Sequence, residues 1–147
     1  MNLSKESKLT RISNAVAAGV TTITSAAVDT KGFGGCLLVA AFGAIVAGAA
    51  TSVKAQQSSD DGVGDAYSDL AGTSVTVADT ADNQLVYVDV VRPTKRWLKL
   101  IVLRATQNAT LDGIVACLYD PKAIPTTHDA TTVAGGETHV SPDEGTA

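Results

Sequence analysis

The sequence predicts an all-β protein, a single antiparallel β-sandwich or jelly roll with extended N- and C-terminal arms, and three observations carry that prediction. The first is a series of short β-type runs at residues 74–78, 85–91, 97–104 and 111–119, separated by Thr80-Ala-Asp-Asn, Arg92-Pro-Thr-Lys and Thr106-Gln-Asn. Short strands at regular spacing, each bounded by turn chemistry, are the pattern of sandwiches and jelly rolls. The second is alternation: Val86, Val88 and Val90 share one face of a strand while Tyr87 and Asp89 share the other. The third is composition, 45% hydrophobic but only 4% aromatic, so the apolar content comes mainly from Ala, Val, Leu and Ile and favours a thin, β-branched core. A chain of 147 residues suits one domain that buries a core without metals or disulfides.

Taken in order, residues 1–14 are polar with scattered Leu3, Leu9 and Ile12, which suits an N-terminal arm. Lys5, Lys8 and Arg11 resemble the charged start of a secretory signal, but the segment after Ile12 is too polar and broken to supply its apolar stretch, so no export is expected. The sandwich domain is assigned to residues 15–120. Within it, Asp29-Thr-Lys-Gly-Phe-Gly-Gly is a turn-rich lead into the first buried strand. The uncharged stretch 32–53 is long enough to cross a bilayer as a helix. Gly32, Gly34, Gly35, Gly43 and Gly48 interrupt it and no Trp or Tyr belt flanks it. It divides more naturally into strands at 36–42 and 49–57, with a single membrane span as the alternative. Residues 56–69 then form a long polar surface loop, and Pro93 belongs to the turn after residue 91 because it cannot donate a ladder hydrogen bond. Residues 121–147, rich in Pro and Gly and poor in large apolar side chains, form an extended tail that is disordered or laid along a neighbour.

The sequence carries no recognisable catalytic motif. Gly32-Phe-Gly-Gly lacks the spacing of a dinucleotide fingerprint and reads as a turn or bulge, and no P-loop, H-E-x-x-H or nucleophile elbow is present. Asp60, Asp61, Asp65 and Asp69 do not follow the ligand order of a calcium loop, so a solvated loop is the preferred reading over a weak cation site. His128 and His139 lie in the tail, without the scaffold that a catalytic or metal role requires. Cys36 and Cys117 sit in apolar runs and read as two buried thiols, with one bridge between them as the alternative. No cofactor, metal or small-molecule substrate is implied, and the chain is read as not an enzyme.

Charge is more informative in its placement than in its sum. A formal net charge of -4 argues against general affinity for nucleic acid or an anionic membrane. Charged residues between 55 and 91 are all acidic, whereas Arg92, Lys95, Arg96, Lys99 and Arg104 follow with no acid among them. The two segments pair either within one chain or between chains, where complementary patches fix orientation. Lys5, Lys8 and Arg11, together with Arg92, Lys95, Arg96 and Lys99, are the candidate partner-binding residues. Trp97 is a core residue or an interface anchor, with core preferred.

The segments Phe42-Gly, Lys54-Ala-Gln-Gln-Ser-Ser-Asp-Asp-Gly, Asp69-Leu-Ala-Gly-Thr, Val90-Val-Arg-Pro-Thr-Lys-Arg-Trp and Pro125-Thr-Thr-His-Asp resemble small virion proteins of tailed bacteriophages. The likeness covers most of the chain and is similar to the jelly-roll or β-sandwich cement proteins that decorate capsids. It implies a non-catalytic virion structural protein on the capsid surface, binding the major capsid protein and copies of itself as a dimer or trimer. The competing reading is a receptor-facing fibre or tail-tip module, and the third is the single-span membrane protein through 32–53.

Overall fold

Alternating and fully apolar runs both become strands, and a computed structural model describes residues 2–146. After one helical turn, α1 (Leu3–Glu6), come β1 (Lys8–Ser13), β2 (Val16–Gly19), β3 (Ile23–Thr24), β4 (Val28–Asp29), β5 (Phe33–Ile45), β6 (Ala50–Ser58), β7 (Ser68–Asp69), β8 (Val75–Val77), β9 (Leu85–Val91), β10 (Trp97–Ala105) and β11 (Ala109–Pro121). All pairings are antiparallel and they nest. β1 and β2 pair with β11, β3 and β4 with β10, β5 with β9, and β6 with β7 and β8. These nested pairs describe one long ribbon doubled back at the 59–67 loop. Rolling the ribbon brings β11 against β5 and β10 against β6, which closes two sheets. Sheet A runs β1-β11-β5-β9, with β2 continuing the β1 row, and sheet B runs β3-β10-β6-β7, with β4 and β8 extending its outer rows. This winding is a jelly roll, one of the two folds the strand spacing predicted.

The inner faces fill with aliphatic side chains. Cys36, Leu38, Ala40 and Phe42 from β5 meet Leu98, Leu100 and Val102 from β10, and all are essentially inaccessible to solvent. Each fully buried Leu contributes roughly 1.5–3 kcal/mol of transfer free energy. Phe42 is the one aromatic among the buried hydrophobic residues described, as the composition implied. On β11 the inward set changes phase, from Ala109 and Leu111 to Ile114, Ala116 and Leu118, through irregular register at Leu111/Gly113. Gly113 takes φ +154 there, a conformation open chiefly to glycine.

Several expectations change. The N-terminal segment is not a free arm: Lys8–Ser13 is β1, an integral row of sheet A, and Ile12 is 5% exposed in the core. Its Thr10/Ile12 alternation is too short and too polar to stand out in sequence. Nor is the start of the tail free, because residues 126–132 run along β1, as described below. The stretch 32–53 supplies β5 and part of β6 rather than a membrane helix, and these strands lie in opposite sheets. No helix among the described residues is long and apolar enough to cross a membrane. Trp97 is not core: it shares the outward phase of Lys99 on β10 and is half-buried, with the Arg96 guanidinium 5.1 Å from its ring centroid. Cys36 and Cys117 occupy opposite faces of sheet A and are free, so they form no bridge.

Candidate docking face

The outer face of sheet A is apolar on its two central strands and carries one charged residue at each margin, Arg11 on β1 and Asp89 on β9. β5 is hydrophobic in both phases, so while Leu38 and Ala40 point inward, Leu37, Val39 and Ala41 point outward and are half-buried. Register aligns these with neighbours in cross-strand rows. Tyr87, Val39, Val115 and Arg11 form one row; Asp89, Leu37, Cys117 and Leu9 form the next. The β9 margin is the most exposed, with Leu85 at 67% and Tyr87 at 65%. Two hollows indent the face. One of about 720 Å³ is lined by Leu3, Leu37, Cys117, Tyr119 and Ile124 together with the charged Glu6, Asp89, Asp120 and Lys122, and one of about 410 Å³ by Leu9, Val39, Ala41, Leu85, Val115 and Val133 together with Arg11 and Asp112. Contiguous apolar surface of this kind marks interaction sites on soluble proteins.

One polar strap crosses it. Tyr119 on β11 lays its ring over Gly35 of β5, where an added Cβ would come within 2.2 Å of the ring, and its hydroxyl donates to Asp89 Oδ1 on β9 at 2.7 Å. Burial, then the hydrogen bond to Asp89, pushes the Tyr119 phenol up to about 12. Burial likewise pushes the Cys36 thiol up to about 12, which leaves it inert inside the core.

Sheet B presents the opposite character. Its outward side chains include Ser52, Lys54, Gln56 and Lys99. Lys54 Nζ pairs with Asp69 at 2.6 Å, Gln56 donates to the same carboxylate at 2.7 Å, and Lys99 Nζ sits 4.0 Å from the centroid of the Tyr67 ring.

The candidate basic residues do not form one patch. Lys5 is exposed on α1, Lys8 is half-buried at the start of β1, and Arg11 is tied to its own sheet through Ser13 O at 3.2 Å and Asp112 O at 3.3 Å. Arg92 follows β9, at the far edge of sheet A. Three inter-strand steps of ~4.8 Å put the two groups roughly 14 Å apart. One pair joins the acidic and basic segments within the chain: Lys95 meets Asp65 at 2.6 Å, whose carboxyl is thereby held down to about 2. Arg96 forks onto Asp29 at 2.7 and 2.6 Å and holds that carboxyl below its ordinary range.

Arg104 is buried, 4% exposed, and donates to Ala17 O, Thr21 O, Thr21 Oγ1 and Ala109 O at 2.6–3.1 Å. It fastens β2 and the turn after it to the end of the sandwich. Desolvation lowers its pKa from the usual arginine value.

The acidic loop closes on itself. Asp60 accepts the backbone N–H groups of Val63, Gly64 and Asp65 at 2.7–3.1 Å, so its oxygens face donors. Those bonds, Asp65 and Gly64 foremost, lower its pKa. No group of three or more His, Cys, Asp or Glu positioned to hold a metal occurs among the described residues. Neither a family model nor a curated protein matches this sequence.

His128, expected to lack a scaffold, has one: its Nδ1 accepts the Leu9 amide at 3.0 Å. Around it, Thr126 N donates to Lys5 O at 2.8 Å, Asp129 N to Leu9 O at 3.3 Å, and Arg11 N to Thr132 Oγ1 at 3.0 Å. Residues 126–132 therefore satisfy the outer edge of β1. Sequence reasoning missed Leu37, Val39 and Val115 as surface residues. The available signal was that β5 is apolar in both phases, although a sandwich strand needs only one buried face.

Proposed function

We propose that this chain is a non-catalytic structural protein that docks through the outer face of sheet A onto a larger assembly, and that the assembly is the head shell of a tailed bacteriophage. The apolar outer face of Leu9, Leu37, Val39, Ala41 and Val115 carries the reading, set against a polar sheet B face where Lys54 pairs with Asp69 and Lys99 lies over Tyr67. The resemblance of segments such as Val90-Val-Arg-Pro-Thr-Lys-Arg-Trp to small virion proteins supports the choice of assembly. On this reading the chain is a decoration, or cement, protein on the capsid surface and its partner is the major capsid protein. Burial of the face supplies affinity, while Lys5 and Arg92, exposed near its two margins, favour an acidic surround on the shell.

Cryo-electron microscopy of undecorated shells mixed with the purified protein tests this. Repeated copies with sheet A against the shell are expected, and Val39→Glu is expected to abolish occupancy while a thermal melt shows that the variant folds. Empty shells with the wild-type chain would overturn the proposal, and density at the tail of native virions would replace it with the receptor-facing module.

A further inference from the structure

The two edges of sheet A are finished differently, and the unfinished one is β9. It pairs only with β5. Phe42 N donates to Gln84 O and Arg92 N to Gly34 O, so the even-numbered residues of this strand face β5. The backbone N–H and C=O groups of Leu85, Tyr87, Asp89 and Val91 consequently point away from the sheet, and they have no backbone partner among the described residues. The same residues carry the outward side chains, with Leu85, Tyr87 and Val91 each more than 60% exposed. The strand is seven residues long and contains no Lys or Pro and a single charge, Asp89. Such an edge is a template for another strand.

We infer that the occupant is a second copy of this chain, joined β9 to β9 in antiparallel fashion about a two-fold axis at Val88. Self-complementarity selects this register. It sets Leu85 opposite Val91 of the second copy and Tyr87 opposite Asp89, so all four outward-facing residues of each strand enter hydrogen-bonded pairs. Centring on Asp89 would place two carboxylates face to face, and centring on Tyr87 would set Leu85 against Asp89 and Val91 against Asn83. The ends also match. Antiparallel pairing brings the basic turn containing Arg92 alongside the acidic turn containing Asp79 and Asp82 of the other copy. Arg92 has no carboxylate within ion-pair distance among the described residues. Beside the edge, a hollow of about 400 Å³ lined by Val75, Leu85, Val86 and Tyr87 adds apolar surface on the flank. The product is a continuous sheet across two protomers, with their apolar outer faces side by side. This dimer forms without any shell, so it stands or falls independently of the docking proposal.

Sedimentation velocity of the full chain up to about 100 µM tests the inference, in the affinity range suited to an interface smaller than the standard size. A concentration-dependent dimer is expected for the wild type. Leu85→Lys combined with Val91→Lys sets like charges opposite each other twice and is expected to weaken dimerisation at least tenfold. Leu85→Lys combined with Val91→Glu sets opposite charges together across the axis and is expected to restore it. These two positions lie at opposite ends of one strand, so rescue cannot arise within a protomer. Circular dichroism checks that each variant folds. A monomeric or trimeric wild type, a double-lysine variant that dimerises unchanged, or failure of the charge swap to rescue would each overturn the proposal.

Discussion

The β1 and β9 edges of sheet A solve one physical problem in opposite ways. Each outer strand exposes a row of backbone donors and acceptors that water or another chain must satisfy. Along β1 the chain supplies its own partner: residues 126–132 bond to Lys5, Leu9 and Arg11, while Arg104 reaches across from sheet B to hold Ala17 of β2. Along β9 nothing comparable is present among the described residues. A chain that spends its tail covering one edge and leaves the other open, apolar and self-complementary has made the two edges different in kind: one ends the sheet and the other can extend it.

The covered edge can be broken most severely at Arg104. Replacing it with Met keeps the volume but leaves the carbonyls of Ala17, Thr21 and Ala109 without their donor. A loss of about 3 kcal/mol is expected, from the buried Ala109 carbonyl left unsatisfied and the loss of the charge-assisted bonds to the more exposed Ala17 and Thr21. Urea denaturation measures it, and a loss well under 1 kcal/mol would mean that water or a local shift replaces the guanidinium without penalty.

Ending the chain at residue 123 is the next largest perturbation. It removes every bond from the tail to β1, while water can enter and satisfy part of what is lost. A net destabilisation of roughly 2 kcal/mol is expected, along with a new tendency to associate through β1. If the truncated chain sediments as the full chain does, the tail is not what keeps that edge closed.

Much of the fold was legible because its signals are local. Residues 85–91 were delimited to the residue, since Val alternation and flanking turn residues mark both ends. The jelly-roll winding was open only as one of two possibilities, because it depends on β11 meeting β5 and β10 meeting β6, pairings between distant segments. The apolar outer face of sheet A was hidden for a different reason. Leu37 and Val39 are as hydrophobic as Leu38 and Ala40, and hydrophobicity alone does not say which phase finds a second layer. The partners of Lys95 and Arg96 were not legible, because charge in sequence names no partner and Asp65 and Asp29 lie 30 and 67 residues away.

The subtlest way to separate the two edges is acid. Asp129 holds the tail on β1: hydrogen bonds from the Thr131 and Thr10 hydroxyls, the Thr131 backbone N–H and the nearby charge of Lys8 bring its carboxyl down to about 2. A carboxyl depressed in the folded state stabilises it fully above the unfolded value of 3.8, and that contribution disappears as pH falls through about 2. Amide exchange at Arg11, whose acceptor is the Thr132 hydroxyl, expressed as protection relative to the β5 core, should therefore fall between pH 5 and pH 2. Asp129→Asn should show reduced Arg11 protection already at neutral pH and a flatter response to acid. The outward amides of Tyr87 and Asp89 have no tail to lose. Their protection should track protein concentration, through dimerisation, rather than Asp129. Equal acid sensitivity at both edges in the wild type, unchanged in Asp129→Asn, would show that the whole sandwich loosens together and that Asp129 does not fasten the tail.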